Sequence, residues 1–388
     1  MGCTDQTAAT QTATRGNDAA ILVSVELSIS SWLATALVPG IDKMSRYPVA
    51  AGDWQKLLAL FERLQTKAER RLGRRPEIIC IQEAGLDGFW LHRRLEDNGI
   101  RSQVVDAASI PTARRKRRAK TDRIDGETLI RALAAWRRGE RTACSMVVPP
   151  SRGDEDRRRL VREREILVKE RTATSNRICG LLQAQGIYGF KPQLKRSRAE
   201  LVRLQTGDGH ALPACLMAEL NRAFDRLQLI QQQIAEAEAA RDALLEQAAA
   251  TRNSVPSLLL PLVSVGPGVC GVVWLEGLFR SFANRRKVAS YAGLAATPWR
   301  SGSIDNEQGI SKAGNPRLRR MLIQLAWLWL KHQRDSALSR WYRQRVGAKP
   351  SGRTKRIFIV ALARKLLIAL WRYVTQGVVP EGAVLKTV

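Results

Sequence analysis

The sequence has few of the residues on which compact metal and disulfide sites depend. It contains only three histidines, His92, His210 and His332, which excludes a histidine-rich metal site. Its six cysteines occur singly, and no two of them form a C-x-x-C pair. Isolated cysteines among apolar neighbours are typical of buried thiols in a reducing compartment. We therefore expect a cytoplasmic protein with reduced thiols.

Long hydrophobic runs are also missing. No apolar run reaches the ~18 residues that a membrane-spanning helix needs. The best candidate, residues 357–374, is interrupted by Arg364, Lys365 and Arg372. Residues 1–18 are rich in Thr, Gln and Ala and lack the basic and apolar segments of a signal peptide. We interpret them as a disordered tail, and we expect no membrane partner.

Negative charge is scarce relative to positive charge. The chain has 64 Lys and Arg against 36 Asp and Glu, a net charge of +28. Such an excess favours a polyanionic partner, and nucleic acid is the usual one because neutralised phosphates release counterions. An anionic membrane surface is the alternative. The basic residues are spread over the whole chain, which favours nucleic acid.

The order of apolar segments predicts three regions. Residues 19–145 alternate short strands with helices, the helices including 53–72 and 86–98, which indicates an α/β domain with a mixed sheet. Residues 151–250 are charged and helical, and an apolar stripe from Leu220 to Ile234 predicts a long antiparallel helical pair or a coiled coil used for self-association. Residues 255–375 form a third, helical region, followed by a tail over 376–388. The fold class is therefore α/β plus all-α.

Four carboxylates stand at predicted element ends. Glu26 and Glu83 each follow a strand, whereas Asp122 and Asp125 lie on one face of a helix start. Such residues can converge at one edge of a sheet, where their oxygens would bind Mg²⁺ or Mn²⁺ and act on a phosphate. The alternative is that Asp122 and Asp125 only cap the helix N-terminus.

Two further segments are candidates for binding nucleic acid. A basic cluster immediately before Asp122 would contact phosphates by charge, unless it is only a solvated loop. Its members are Arg114, Arg115, Lys116, Arg117, Arg118 and Lys120. In the segment 261–271, Gly266 and Gly268 resemble the hairpin of a helix-hairpin-helix element, where backbone N–H groups hold a phosphate. A tight interhelical turn is the alternative there.

The run Lys120-Thr121-Asp122-Arg123-Ile124-Asp125 resembles the K-x-D-x-x-D signature of the DEDD transposases. These are insertion-sequence recombinases with a RuvC-like, ribonuclease H-type N-terminal domain. The strand that ends at Glu83 resembles the segment carrying the family's single Glu. Glu26 stands where the family typically has an Asp. The resemblance implies that Glu26, Glu83, Asp122 and Asp125 are catalytic metal ligands.

Residues 292–319 resemble the C-terminal transposase domain of the same family. The chain matches its A-G-L-x-P-x-x-x-S-G block and its G-x-I-S-K-x-G-N-x-x-L-R block. The resemblance places the nucleophilic serine at Ser301, or at Ser303 if the register slips, in a glycine-containing loop. Four basic residues there could offset charge in the transition state: Arg300, Lys312, Arg317 and Arg319.

The resemblance covers roughly residues 20–375 and implies a function. It implies a RuvC-like catalytic domain (19–145), a helical oligomerisation region (151–250) and a transposase domain (255–375). It also implies cutting and rejoining of DNA through a phosphoserine, a structured noncoding guide RNA, and dimers or tetramers in which one subunit's carboxylates meet another's serine. The location would be prokaryotic and nucleoid-associated. Two alternatives stay open: a RuvC-like nuclease using metal-activated water, and a decayed transposase that only binds nucleic acid.

Overall fold

The computed structural model describes most of the chain. The described residues are 20–85, 88–111, 122–301, 304–349 and 351–386, and only the backbone is described at 122–124, 298–301 and 304–308. The chain divides into two compact units, Met1–Pro149 and Pro150–Val388. Within the described ranges, no helix has the length and apolar character needed to cross a membrane.

The first unit is built on a six-stranded mixed sheet in the order β3-β2-β1-β4-β5-β6. Strands β1, β4 and β5 are parallel, whereas β2, β3 and β6 each pair antiparallel with a neighbour. The strands are β1 Ile21–Glu26, β2 Ser31–Leu37, β3 Ser45–Ala50, β4 Ile78–Glu83, β5 Arg101–Val105 and β6 Met146–Val147. The predicted α/β class with a mixed sheet is confirmed.

Helices cover both faces of this sheet, which explains why β1 and β4 are almost continuously apolar. One face packs against α1 (Trp54–Leu72) and α2 (Trp90–Asp97), and the other packs against α3 (Asp122–Arg137). Helix α1 is capped by Asp53, whose side chain accepts from the Lys56 amide at 2.9 Å. Its buried residues recur every three or four positions, as an amphipathic helix requires.

Two strands and one helix boundary differ from the sequence prediction. Strand β3 was not predicted, because its polar residues and Pro48 are unlike a central strand; it lies at the sheet edge, where proline is tolerated. Strand β6 has only two residues, too few for a pattern. Helix α2 begins at Trp90 instead of Leu86, and Leu86 itself lies outside the described part of the chain.

Two long helices open the second unit and run antiparallel. They are α4 (Arg152–Gln183) and α6 (Ala214–Ala249), with the single turn α5 (Ser197–Glu200) between them. At one end Ile178 packs with Leu220, and at the other end Leu167 packs with Ile234. The predicted antiparallel helical pair is therefore present, and its apolar stripe is buried within the chain. Self-association through this pair stays a prediction.

The second unit also contains a π-helical segment, Trp274–Leu278, and further helices and strands. Their core includes Trp329, which is fully buried and donates its indole N–H to Ser336 Oγ at 2.9 Å. The elements are α7 Val255–Leu259, α8 Pro267–Val273, α9 Arg285–Tyr291, β7 Ala296–Ser301, β8 Ile304–Ile310, α10 Pro316–His332 and α11 Ala337–Val346.

The chain's final described helix, α12 (Gly352–Gln376), packs along α10 in the same core. Strands β7 and β8 form an antiparallel hairpin, which corrects the expectation that Ser301 lies in a loop. The reason for the miss is visible in the sequence, since Pro298 and Gly302 interrupt any apolar alternation that would indicate strands.

Candidate active site

Glu26 and Glu83 lie side by side at the ends of adjacent parallel strands. The register pairs Val25 of β1 with Gln82 of β4, so each glutamate is the next residue on its own strand. Because side chains alternate along a strand, Glu26 follows Leu22 and Ser24 onto the face that carries α3, and Glu83 follows Ile79 and Ile81 onto it. The two carboxylates therefore share one edge and one face of the sheet.

Helix α3 is held close to that edge by a tight contact at Gly126. The Ser24 hydroxyl donates to the Gly126 carbonyl oxygen at 2.9 Å, across 102 residues of chain. A Cβ atom added to Gly126 would lie 2.6 Å from Thr35 Oγ1, a separation that no real Cβ tolerates. Thr35 is the β2 partner of Ser24 in the sheet register. Only glycine therefore allows the helix to approach the sheet this closely.

The first turn of α3 extends toward the two glutamates. After Gly126 the helix packs Leu129 and Leu133 with Leu22, back along β1. Its residues before Gly126 therefore run in the opposite direction, toward Glu26. Asp122, the first residue of α3, precedes Gly126 by four residues, about one turn of the helix. Asp125 is half-buried one turn before Leu129.

The donors at this edge suit a divalent cation in chemical type. Carboxylate oxygens are the ligands that Mg²⁺ prefers, and Glu26 and Glu83 both stand at this edge. Among the described side chains, no three of His, Cys, Asp and Glu form a group that could hold a metal ion. The fourth predicted ligand, Asp122, is described only as backbone. The four-carboxylate site therefore stays a prediction.

The predicted serine lies at the tip of the β7–β8 hairpin. Ser301 is the last residue of β7 and pairs with Ile304, and the pairing continues down to Ala296 with Ile310. Arg300 precedes Ser301 on the same strand and is likewise described only as backbone. The alternative serine, Ser303, and the whole basic cluster from Arg114 to Lys120 lie outside the described residues.

The base of the hairpin is fixed by two interlocked glycines. Gly314 has φ +122°, and a Cβ there would lie 2.5 Å from the Tyr291 carbonyl oxygen. Gly293 has φ +65°, and a Cβ there would lie 2.7 Å from the Ala313 carbonyl oxygen. Lys312 adopts φ +56° between them. The glycines of the A-G-L and G-N blocks thus let two backbone segments touch directly beneath the serine strand.

A buried carboxylate links this base to the long helix α4. Glu276 is completely buried and accepts from Arg162 at 2.6 Å and from Arg158 at 3.1 Å. It also accepts from Asn315 Nδ2 at 2.8 Å, while Asn315 Oδ1 caps α10. Burial alone would raise the pKa of Glu276, but the Arg162 hydrogen bond and the two positive charges outweigh it and hold the pKa below its ordinary value.

Two predicted binding residues, Arg317 and Arg319, have partners within the protein. Arg317 donates to Glu165 at 2.6 Å, and Arg319 donates to the Lys312 carbonyl oxygen at 2.9 Å. Lys312 is exposed. Gly266 precedes α8 in an extended conformation, and Gly268 faces the Arg241 side chain. Whether these residues contact nucleic acid stays a prediction.

Comparison with known proteins identifies the relatives of this chain. A DEDD transposase model matches residues 48–186, and the model described as "Transposase IS116/IS110/IS902 family" matches residues 263–342. The putative transposase y4rJ of Sinorhizobium fredii is 55% identical over 97% of both chains. The chain belongs to this family of insertion-sequence transposases. More distant relatives include the transposase of element IS1328 from Yersinia enterocolitica, 26% identical over 78% of this chain and 86% of its own.

The family matches contain most of the predicted site. The first match includes Glu83, Asp122 and Asp125 but begins after Glu26, and the second includes Ser301. Sequence reasoning missed two residues that position these groups. Gly126 looked like an unremarkable helix residue, although a glycine in a helix interior is a signal of close packing. Glu276 carried no signal, because its arginine partners are more than 110 residues away.

Proposed function

We propose that this transposase cuts and rejoins DNA through a phosphoserine intermediate at Ser301, assisted by the carboxylates Glu26, Glu83, Asp122 and Asp125. The observation that carries the proposal is the register of β1 and β4, which sets two glutamates side by side beneath the start of α3. The carboxylates would form a RuvC-like site. Family membership supports DNA as the substrate.

The serine step follows from the chemistry of a hydroxyl and a phosphodiester. Ser301 Oγ attacks phosphorus and forms the Oγ–P bond, while the bond from phosphorus to one deoxyribose oxygen breaks. The serine gives up its proton, and the departing deoxyribose oxygen takes one up. The phosphoserine conserves the energy of the broken bond, so a second deoxyribose hydroxyl can reverse the step and join strands without ATP.

The carboxylates supply the second half of the mechanism. Glu26, Glu83, Asp122 and Asp125 would hold a Mg²⁺ or Mn²⁺ ion, which would neutralise charge on the scissile phosphate. Glu26 is longer than aspartate by one methylene group, and its place in the β1–β4 register keeps it level with Glu83.

A covalent-adduct assay tests the role of Ser301. With a nicked suicide substrate, the native protein should form a protein–DNA adduct that Ser301→Ala lacks and Ser303→Ala retains. If Ser301→Ala forms the adduct while Ser303→Ala does not, the register is shifted and the nucleophile is Ser303. Adduct-free cleavage that survives both changes would instead identify a nuclease that uses activated water.

Two glutamates at the two ends of β4 provide a matched test of the carboxylates. Glu83→Gln should reduce adduct formation in Mg²⁺ by about 100-fold or more, because a metal ligand supplies several kcal/mol of charge stabilisation. Glu77→Gln, one residue before β4 at the opposite sheet edge, should leave it unchanged. Glu77 contacts Arg101 at 3.3 Å, so the control also removes a charged contact. Equal losses would contradict the assignment.

The proposal includes a structured guide RNA and an oligomer of two or four subunits. The net charge of +28 is compatible with RNA as a polyanionic partner beside DNA. Purification with and without ribonuclease, followed by light scattering, tests both points. We expect a defined RNA species to copurify and the mass to be a multiple of 43.2 kDa after its removal.

A further inference from the structure

A basic groove lies beside the serine hairpin in the second unit. It encloses a volume of about 1200 Å³ between helix α12, the start of α9 and the base of the hairpin. Ala296 of β7 and Ile310 of β8 belong to its wall, and these residues are paired partners. The groove is therefore continuous with the strands that lead to Ser301.

The walls of the groove are strongly positive. Arg285, Arg286 and Lys312 lie on one side. On α12 the cations are Arg353, Arg356, Arg364, Lys365 and Arg372. No carboxylate is among the lining residues that the structure describes, and none of these cations forms an ion pair with a described residue. Elsewhere in this unit arginines pair with Glu165 and Glu276, so among the described side chains the groove differs in having positive charge without a paired carboxylate.

The floor between the cations is aliphatic. Ile357, Val360, Ala361 and Ile368 alternate with the basic residues along one face of α12. From Arg353 to Arg372 this face is ~28 Å long at ~1.5 Å per residue, which matches the axial length of about eight base pairs. Ile357 is 55% exposed, so this part of the floor is open to a bound ligand.

We infer that this groove binds the backbone of duplex DNA next to the phosphodiester that Ser301 attacks. A second copy of this chain, with its own net charge of +28, is a poor match for a positive groove. The hairpin rises ~16 Å from Ala296 to Ser301 at ~3.3 Å per residue, so duplex seated in the groove would reach the serine within about five base pairs. The inference rests on the proposed function.

Binding measurements in a Ser301→Ala background test the groove without requiring chemistry. The variant combines Arg356→Gln, Arg364→Gln and Arg372→Gln, and its control combines Arg63→Gln, Lys67→Gln and Arg70→Gln, exposed cations of α1 in the first unit. For a 30-base-pair duplex, the groove variant should bind roughly 10- to 100-fold more weakly near ~0.15 M salt. The slope of log affinity against log salt should shrink by about 2 to 3. The control should stay within about 3-fold.

A charge-preserving triple variant and a crosslink complete the design. Arg356→Lys, Arg364→Lys and Arg372→Lys should retain affinity, because phosphate is recognised by charge. A benzophenone amino acid at Ile357 should crosslink to the duplex, whereas one at Leu229 of α6, which is similarly exposed at 53%, should not. Equal weakening by the α1 control, loss of binding only for an RNA hairpin, or equal crosslinking at the two positions would overturn the inference. Because no adduct is needed, failure of the Ser301 assay leaves this result interpretable.

Discussion

Gly126 occupies the point where helix α3 comes closest to the sheet. Its position over the Ser24–Thr35 pair sets how far the first turn of α3 stands from Glu26 and Glu83. A single methyl group there would push the helix outward. The distance of α3 from the sheet therefore depends on a residue that carries no chemistry of its own.

A matched pair of helical glycines tests this dependence. Gly126→Ala should destabilise the protein by about 1–3 kcal/mol through overpacking and should lower adduct formation. Gly180→Ala, in α4 with open space around the new Cβ, should be neutral or stabilising by up to ~1 kcal/mol. Urea unfolding measures both free energies. Adding Thr35→Ala to Gly126→Ala should restore much of the loss, and no recovery would mean that Thr35 is not the obstacle.

Glu276 makes the free energy of unfolding depend on pH in the acidic range. Its folded-state pKa lies below the ordinary 4.5, so the unfolded chain binds the proton more tightly. The stabilisation is therefore fully present above the ordinary value and is lost as pH falls through the folded-state pKa.

Replacing Glu276 should expose this contribution. Glu276→Gln should cost about 2–4 kcal/mol near pH 7, somewhat less than a fully buried pair because the Arg162 side chain is 40% exposed. The difference in the free energy of unfolding between this variant and the native protein should become smaller below pH 4.5. Unfolding curves at several pH values test this, with Glu381→Gln, 80% exposed, as a control of unchanged stability. A constant difference across pH would contradict the ion-pair explanation.

At the scale of elements, the β7–β8 hairpin is supported from below by the contact of two backbone segments at Gly293 and Gly314. Positive φ alone explains why glycine is favoured, but the 2.5 Å approach to Tyr291 adds a steric requirement. A second glycine that has positive φ but open space around it can therefore separate the cost of backbone strain from the cost of steric crowding.

Gly347 provides that comparison, since it has φ +74° and nothing within 4 Å of an added Cβ. Gly347→Ala should cost about 1–2 kcal/mol from backbone strain alone. Gly314→Ala should cost at least ~2 kcal/mol more and should reduce adduct formation, because the hairpin base is displaced. Thermal unfolding and the adduct assay measure the two effects. Similar costs for both variants would show that crowding at Tyr291 is relieved easily.

Elements with strong periodicity could be predicted, and those set by distant contacts could not. Strands β1 and β4 and helix α1 follow directly from apolar runs and a three- to four-residue stripe. The position of Glu83 at a strand end was predictable for the same reason. The β7–β8 hairpin and edge strand β3 lack such patterns, because Pro, Gly and polar residues interrupt them. The contact of Gly126 with Ser24 and the ion pairs of Glu276 with Arg158 and Arg162 join residues more than 100 positions apart, which no local pattern encodes.

At the scale of the whole molecule, the carboxylates and the serine belong to different compact units. Each unit has its own buried core. Calorimetry should therefore resolve two unfolding transitions. Gly126→Ala should lower the midpoint temperature of one, and Glu276→Gln should lower the midpoint temperature of the other. In the variant that carries both substitutions, each midpoint temperature should shift by the same amount as in the corresponding single variant. A single transition shifted by both changes would show that the units unfold as one.

The pairing of β1 has a practical consequence for inserting reporters into this chain. A single residue added between Ile21 and Glu26 would turn Glu26 to the face covered by α1 and α2, since side chains alternate along a strand. The turn between β2 and β3, residues 38–44, lies at the sheet edge opposite Glu26. A fluorescent domain placed in that turn would leave the strand register intact, whereas the same insertion in β1 would uncouple the two glutamates.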